Sequence, residues 1–406
     1  MLLYYGGSHQ PLSQRTPNLS EALGAVMLEI HVLGVSSARP AHGRHVSGSV
    51  VDTPSGQIVV DCGEGFQERM LVHNSKLKAC DMKQRLRHTR LRLLLLTHGH
   101  LDHCWGVLPM LQTMSLDGRN KPLTVAGPIS DISFDALLAN GANAILNDPG
   151  IVKVDLARQW QQWWSLGATN SELGYDISWF AVDFSSGERW LKLNPESGEC
   201  SLLDDAPVLM DGVSVHSHET LHSVPSCGWS IRLADKAGRF EREKASEMNL
   251  DSEQKRILAA GENVENNGEL LKAEDFRGLP RVAPCVLISG DTGAGAPSFS
   301  KIEVGPTLLI HEATYSNESV DRARQWLHST SQDAANAAVE MSAEHLLLTH
   351  YSSRIEDTSQ LLAEARDIHP STAAAVDGDI VKMDLEGGIS HLRYDDRGWS
   401  QLHDSF

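Results

Sequence analysis

The sequence lacks the features of secreted, membrane-spanning or strongly basic proteins. Its six cysteines form no C-x-x-C pair and no disulfide-like spacing, which indicates a reducing compartment. No apolar run approaches the roughly 20 residues that a membrane helix needs, and no basic segment followed by an apolar one opens the chain. Aspartate and glutamate number 53 against 35 lysines and arginines, and this net charge of −18 opposes general affinity for nucleic acids. We therefore expect a cytoplasmic protein with no membrane partner.

Two similar segments stand out against this background. Residues 94–98 read LLLTH and continue into GHLDH, and residues 346–350 again read LLLTH. In each segment an apolar run of strand length ends at a histidine, and strand ends are where sheet proteins place functional side chains. The first segment offers four possible metal ligands close together, namely His98, His100, Asp102 and His103. Imidazole and carboxylate favour Zn²⁺, with Mn²⁺ or Fe as alternatives.

Three further candidate ligands follow in comparable contexts. Asp291 ends an apolar run in SGDT, where its small neighbours allow a close approach. His350 ends the second LLLTH segment, and His222 precedes a predicted strand at residues 228–232. We prefer His222 to His216 and His218, which are more easily interpreted as surface residues. Together the seven residues predict two metal sites that share Asp291 and leave room for a bridging hydroxide.

Such a pair of metals is suited to phosphodiester hydrolysis. Two ions a few ångströms apart lower the pKa of a shared water, hold a phosphate oxygen and stabilise the charge on the attacking and leaving oxygens. Asp102 is placed to act both as a ligand and as the acceptor of the proton from that water. His328 precedes a predicted helix start, because Thr330 and Asp333 have capping-box spacing. The helix start predicts a phosphate-binding site with His328 as the acid for the leaving oxygen; an ordinary capping-region histidine is the alternative.

The motifs resemble the ribonuclease Z family of the metallo-β-lactamase superfamily. H-x-H-x-D-H is common to that superfamily, whereas four further motifs make the match narrower. These are DCGEGFQ at residues 61–67, HEAT at 311–314, HST at 328–330 and HYSSR at 350–354. Their order and approximate spacing agree from about residue 27 to residue 377.

The resemblance implies an α/β fold, the metallo-β-lactamase αββα sandwich, with the metals where strand ends of both sheets meet. It also implies a homodimer with two Zn²⁺ per chain that cleaves 3′ trailers from precursor tRNA. Asp102 would have the roles given above, and His311 and Glu312 would orient ligands and the phosphate site. A plain buried hydrogen-bonding role for His311 and Glu312 is nearly as well supported.

The chain is expected to form one large domain with additions. Residues 1–26 are an N-terminal extension, and residues 27–406 form the catalytic domain. Residues 127–211 form an insertion with five tryptophans: Trp160, Trp163, Trp164, Trp179 and Trp190. Helical spacing of the first three predicts an aromatic face, which is either the insertion's own core or a dimer contact, or else a substrate-stacking surface or lid. Predicted strands cover residues 28–33, 57–60, 91–96, 282–289, 307–310 and 345–349, and predicted helices cover 76–86 and 332–344.

The substrate is the least constrained part of the prediction. Residues 232–280 lie where bacterial members of the family have a Gly-Pro-rich tRNA-binding arm, yet they lack that motif and hold nine basic against eleven acidic residues. One basic cluster precedes the metal motif: Lys76, Lys78, Lys83, Arg85, Arg87, Arg90 and Arg92. The alternative to tRNA is a small or cyclic nucleotide cleaved by the same chemistry. A non-catalytic scaffold or a carboxyl-ester hydrolase is disfavoured by the complete ligand set and by the HEAT and HST motifs.

Overall fold

The computed structural model describes residues 26–145, 148–385, 387–403 and 405–406. Two large β-sheets face each other within these residues, and their facing apolar side chains form one continuous core. The predicted extension at residues 1–26 lies outside the described residues, except that residue 26 already belongs to the first strand. Among the described helices, none combines the length and the apolar character that crossing a bilayer requires.

The first sheet has eleven strands and mixed direction. Its order is β19-β18-β17-β1-β2-β3-β4-β5-β6-β7-β8, and the four central strands β3 to β6 run parallel. The strands are β1 (Val26–Gly34), β2 (Gly48–Thr53), β3 (Gly56–Cys62), β4 (Leu91–Leu95), β5 (Leu123–Pro128), β6 (Ile177–Asp183), β7 (Arg189–Leu193), β8 (Cys200–Leu203), β17 (Ile380–Asp384), β18 (Ile389–Asp395) and β19 (Gly398–Gln401).

The second sheet has six strands in the order β16-β15-β14-β13-β10-β9. Strands β13 to β16 are parallel, whereas β10 and β9 are added antiparallel at one side. The strands are β9 (Val213–Glu219), β10 (Cys227–Leu233), β13 (Cys285–Ile288), β14 (Leu308–Glu312), β15 (His345–Thr349) and β16 (Thr372–Ala374); a separate hairpin consists of β11 (Val264–Asn266) and β12 (Glu269–Leu271).

Helices cover the outer faces of both sheets. Helices α1 to α5 contribute side chains to a second core on the outer face of the first sheet, whereas α10 and α11 pack on the second sheet. The helices are α1 (Phe66–Ala79), α2 (Leu101–Cys104), α3 (Val107–Leu116), α4 (Asp131–Asn140), α5 (Leu156–Ser165), α6 (Asn170–Leu173), α7 (Arg242–Glu247), α8 (Ser252–Ala260), α9 (Val320–Trp326), α10 (Ser331–Glu340) and α11 (Ser359–Arg366). Short 3₁₀ helices span His88–Arg90, Ala273–Phe276, Phe299–Lys301 and Asn317–Ser319.

The apolar sequence of β4 follows from this layering. Leu93 and Leu95 face the core between the sheets, and Leu94 and Leu96 face the core beneath the helices. A strand that is covered on both faces is apolar at every position rather than at alternate ones. The predicted αββα sandwich is therefore confirmed, and the LLL run of the first repeated segment is a central strand.

The predicted strands agree with the structure to within a few residues, but the helix predicted for residues 76–86 is wrong. Helix α1 spans Phe66–Ala79, and Asp81 just beyond it has a left-handed backbone (φ 53°). A left-handed residue does not continue a right-handed helix. Lys76 and Lys78 of the basic cluster therefore lie on α1, and Arg90 ends the 3₁₀ helix His88–Arg90.

The five tryptophans of the predicted insertion are buried. Four of them share the outer core of the first sheet with Phe66 of α1, and Trp190 lies between the sheets against Trp229. The rings are core residues, but the cores belong to the whole sandwich rather than to the insertion alone. The substrate-stacking or lid interpretation is wrong, because buried rings cannot stack on RNA. Their segment extends the first sheet by three strands, β6 to β8.

Residues 232–280 include a small structure with its own core. Helices α7 and α8 pack with the β11–β12 hairpin around Leu258 and Phe276. This core is separate from the cores of the two sheets. Backbone bridges at Lys236–Arg281 and Phe240–Arg277 hold its two connecting segments together.

Candidate metal centre

Strands of both sheets end at one common edge, and the candidate site lies there. β3 carries Asp61 next to its last residue, and β4 leads into His98. From the second sheet, β13 leads to Asp291, β14 ends at Glu312 and β15 leads to His350. Carboxyl ends of parallel strands are where such sheets gather functional side chains, which explains why residues far apart in sequence meet here.

A first cluster of possible ligands combines His98, His100, His222 and Asp291. The His100 Nδ1 atom lies 3.0 Å from His98 Nε2 and 3.1 Å from His222 Nε2. Asp291 Oδ2 lies 3.7 Å from His98 Nε2 and 3.9 Å from His222 Nε2. Three imidazole nitrogens and one carboxylate oxygen therefore point at a common position, and this donor set suits a transition metal.

A second cluster lies against the other oxygen of the same aspartate. Asp291 Oδ1 is 3.2 Å from both His103 Nε2 and His350 Nε2. Asp102 Oδ2 approaches the same two nitrogens at 3.7 and 3.6 Å. The structure thus brings all seven predicted ligands together, with one oxygen of Asp291 facing each cluster.

Neighbouring groups fix the orientation of the histidines. Asp61 Oδ2 lies 2.7 Å from His103 Nδ1, and its Oδ1 accepts the Thr97 N–H at 2.8 Å. His222 Nδ1 donates to the Leu327 carbonyl at 3.0 Å. A bond to the far ring nitrogen sets the tautomer that leaves the other nitrogen free for a metal. Asp61 belongs to the DCGEGFQ motif, but no role was predicted for it from the sequence. Its position near the end of the strand beside β4 could have indicated that it lies close to the metal ligands.

Glu312 connects His328 and His350 to the site. Its Oε1 lies 2.8 Å from His328 Nδ1, and its Oε2 accepts the Thr314 hydroxyl at 2.5 Å. The Thr314 Oγ1 atom lies 3.0 Å from His350 Nδ1. Burial opposes the charged form of His328, but the Glu312 carboxylate outweighs burial and raises the His328 pKa to about 9. A proton on His328 at neutral pH is therefore favoured.

His328 also belongs to a third possible ligand group, with Asp291, Glu312 and His350. Its Nδ1 atom, however, already bonds to Glu312 and lies 3.9 Å from Asp291 Oδ2. Asp291 and His350 face the second cluster through shorter distances, 3.2 Å between Oδ1 and Nε2. The geometry therefore favours His328 beside the metals rather than as a ligand.

His311 is not in the site. It precedes Glu312 on β14, and neighbouring strand residues point to opposite faces of a sheet. Its Nδ1 atom donates to the Glu312 carbonyl at 2.7 Å, and its ring packs against Phe299. It contributes to none of the ligand groups found among the described residues. The buried hydrogen-bonding role is therefore the one that the contacts support for His311.

The first cluster keeps its histidines neutral. Burial lowers the pKa of His98 and His222 and lowers that of His100 to about 4. For His103 burial acts in the same direction, but Asp291, Asp61 and Asp102 outweigh it and raise the pKa. Neutral imidazole is the ligand form, so the first cluster already holds it, whereas His103 would exchange a proton for a metal.

Two glycines allow the loops to approach closely. A Cβ atom on Gly290 would lie 2.5 Å from Thr97 Cβ, and one on Gly63 would collide with the Asp102 carbonyl. Asp61 and His350 are non-glycine residues with left-handed backbones, φ 59° and 58°. Such conformations are uncommon outside glycine and gather at functional sites.

Comparisons with known proteins agree with this geometry. A family model described as the metallo-beta-lactamase superfamily matches residues 43–114. Ribonuclease Z of Methanosarcina mazei is 29% identical over 357 residues, covering 86% of this chain and 96% of the relative. Ribonuclease Z of Myxococcus xanthus is 28% identical over 363 residues, covering 88% and 99%. The crystal structure of the short form of human tRNase Z has 20% identity and a TM-score of 0.50 over 87% of this chain and 98% of that one, which supports the fold. The chain therefore has the metallo-β-lactamase fold and is similar to ribonuclease Z proteins over most of its length.

Proposed function

We propose that this protein is a metal-dependent endoribonuclease that removes 3′ trailers from precursor tRNA. The observation that carries the proposal is the pair of ligand clusters on the two oxygens of Asp291, with the His328–Glu312 pair beside them. Ribonuclease Z relatives that match nearly their full length support the same activity. They favour it over the alternative of a small or cyclic nucleotide.

The residues fit two divalent cations. Asp291 Oδ1 is buried with no hydrogen-bond partner among the described residues, although it lies 3.2 Å from two imidazole nitrogens. A buried carboxylate oxygen without a partner is costly, and a metal would satisfy it. His98, His100 and His222 would hold one ion, Asp102, His103 and His350 the other, and Asp291 both. Zn²⁺ is the proposed metal, and Mn²⁺ or Fe²⁺ suit the same donors.

Metal ions in these positions supply Lewis-acid chemistry, because they acidify water and neutralise phosphate charge. Asp102 is proposed to accept the proton of the attacking water. The Ala38 N–H donates to its Oδ2 at 2.7 Å and fixes the carboxylate. Burial opposes ionisation of Asp102, but neighbouring His103 and His350 lower its pKa, so the carboxylate is ionised at neutral pH.

His328 is proposed to protonate the leaving oxygen. With Nδ1 bonded to Glu312, its Nε2 atom is left for the substrate. A side-chain exposure of 14% keeps His328 accessible while Glu312, at 1%, is buried. Glu312 is therefore a positioning residue that holds the imidazole and favours its charged form.

The substitution His328→Ala should lower kcat by about 10²- to 10⁴-fold, which is the usual contribution of general acid catalysis. The metal content of the purified protein should stay near that of the wild type. The wild-type rate should fall at alkaline pH as His328, whose pKa is raised to about 9, loses its proton, and this fall should be absent in the variant. Glu312→Gln is the matched variant, because it keeps His328 but removes the charge beside it. Loss of metal from His328→Ala would show that His328 is a ligand.

The proposed function is tested by single-turnover cleavage of a precursor tRNA with a 3′ trailer. The zinc-loaded protein should make one cut near the acceptor end, and protein stripped of metal by a chelator should make none. A small bis-aryl phosphodiester is assayed in parallel. Turnover of the ester without cleavage of RNA would retain the metal chemistry and reject tRNA as the substrate.

The proposal includes a cytoplasmic homodimer, as the family resemblance implies. The basic residues nearest to the metal motif, Arg90 and Arg92, lie at the N-terminal end of β4, whereas the metal ligands follow its C-terminal end. Arg90 pairs with Asp52 at 2.8 Å, and Lys76 lies over the Tyr394 ring. Part of the cluster is therefore engaged within the protein.

A further inference from the structure

All nine tryptophans lie within the described residues, and seven of them are buried. The two exceptions are Trp105, 57% exposed, and Trp326, 59% exposed. Trp105 comes three residues after Asp102, and Trp326 comes two residues before His328. The exposed tryptophans are thus the two nearest in sequence to the proposed proton-transfer residues.

The backbone around Trp105 ties it to the second metal cluster. Its N–H donates to the Leu101 carbonyl at 2.9 Å and closes the single turn of α2, which carries Asp102 and His103. Leu101 is 49% exposed and lies four residues earlier, on the same face of this turn. Two apolar side chains therefore reach solvent from the turn that supplies ligands.

The backbone around Trp326 ties it to the first cluster. Trp326 ends α9, and Leu327 follows in a left-handed conformation with φ 53°. The Leu327 carbonyl accepts the His222 Nδ1–H, so this residue separates the exposed ring from the buried ligand. A leucine in this conformation is strained, and strain of this kind is retained where the surrounding structure requires it.

Leu221 completes the group. It precedes His222, is 39% exposed, and its carbonyl accepts the Gly293 N–H at 2.7 Å. A Cβ atom on Gly293 would lie 3.5 Å from both Leu221 Cδ2 and Leu327 Cα, so these two segments meet at this glycine. We name the exposed set Leu101, Trp105, Leu221 and Trp326 the apolar rim.

We propose that Trp105 and Trp326 stack on unpaired nucleobases next to the scissile phosphate; this inference rests on the proposed function. Because the two rings are two and three residues in sequence from His328 and Asp102, we expect the nucleotides that flank a phosphodiester at the clusters to come within their reach. Exposed apolar groups around a polar site mark an interaction surface, and aromatic rings bind single-stranded RNA by stacking. Stacking does not depend on positive charge, which suits a chain with a net charge of −18. It also accepts every base, because each has a π-face.

The test compares RNA binding by Trp105→Ala, Trp326→Ala and the two Trp→Phe variants. Each is made in the full, zinc-loaded chain with the Asp102→Ala substitution, so that cleavage does not complicate the measurement. The probes are a precursor tRNA with an unpaired 3′ trailer and the same RNA with abasic nucleotides beside the cut. Each alanine should weaken binding of the intact RNA by roughly 5- to 100-fold, and phenylalanine should restore most of it. On the abasic RNA the tryptophan and alanine forms should bind alike.

Leu116→Ala is the matched control, because Leu116 is 87% exposed at the end of α3, away from the site residues in sequence. Unchanged binding in both alanine variants, or an equal loss on intact and abasic RNA, would overturn the stacking assignment. Loss of metal from the tryptophan variants, or a wild type that binds neither RNA, would also overturn it. A different result would support stacking and reject the proposed function: the tryptophan forms bind the intact RNA more tightly than the abasic RNA, but the protein that retains Asp102 does not cleave the trailer.

Discussion

The substitution Asp291→Ala should remove both metal ions and all measurable phosphodiesterase activity. Asp291 Oδ1 lies 3.2 Å from two imidazole nitrogens of one cluster, and Oδ2 lies 3.7 and 3.9 Å from two of the other. Without this carboxylate the first cluster holds only neutral imidazoles, and each ion loses one negative ligand. Elemental analysis should find less than about one metal per chain, and turnover should fall by roughly 10⁴-fold or more.

Asp135→Ala is the control for this substitution, because Asp135 is a surface carboxylate with 71% of its side chain exposed. It should keep full metal content and activity. Thermal unfolding of the two metal-free proteins should be similar, which would show that Asp291→Ala remains folded. Two tightly bound ions in the Asp291 variant would disprove the shared ligand and would require separate sites.

The substitution Asp102→Ala should reduce turnover by roughly 10⁴-fold or more while the first cluster stays intact. The ligand nitrogens that lie within 4 Å of Asp102 Oδ2 belong to the second cluster, at 3.7 and 3.6 Å, so His98, His100 and His222 should keep their geometry. At least one metal per chain should therefore remain. The loss of rate should exceed that of His328→Ala, because Asp102 is proposed both to bind a metal and to accept the proton.

A matched control is Asp131→Ala, since Asp131 also lies in the first turn of a helix but is exposed and distant from the site in sequence. Its metal content and single-turnover rate should equal those of the wild type. A rate within about tenfold of the wild type for Asp102→Ala would reject its role as the proton acceptor. An equal loss in both aspartate variants would indicate a general effect on folding.

Much of this site was predictable because its residues follow apolar runs of strand length. Such runs predict central strands, and the carboxyl ends of parallel strands meet at one edge. This reasoning predicted that His98, Asp291 and His350 come together, and the structure brings them together. His222 was harder to choose, because two other histidines lie shortly before it in sequence, on β9. The structure distinguishes them, since His218 bonds to Ser230 at 2.9 Å whereas His222 faces His100.

Other features depend on tertiary contacts that a single sequence does not contain. His311 and Glu312 are adjacent in one motif, yet strand alternation separates them, and only Glu312 reaches the site. The tryptophan-rich segment looks like a separate unit, but its rings complete a core that begins at Phe66 of α1. Asp61 lies 42 residues before His103, so its bond to that imidazole requires the pairing of β3 with β4.

Each ligand cluster draws side chains from both sheets, and this has a consequence for how the protein acquires its metals. A folded chain offers seven donors at fixed distances, whereas an unfolded chain still holds four of them between residues 98 and 103. Ions that bind only the native state increase its stability by mass action, but weak chelation by the unfolded segment reduces that gain. Metal binding should therefore follow folding rather than start it. The rise in unfolding temperature on adding metal should underestimate the affinity of the folded site for the metal.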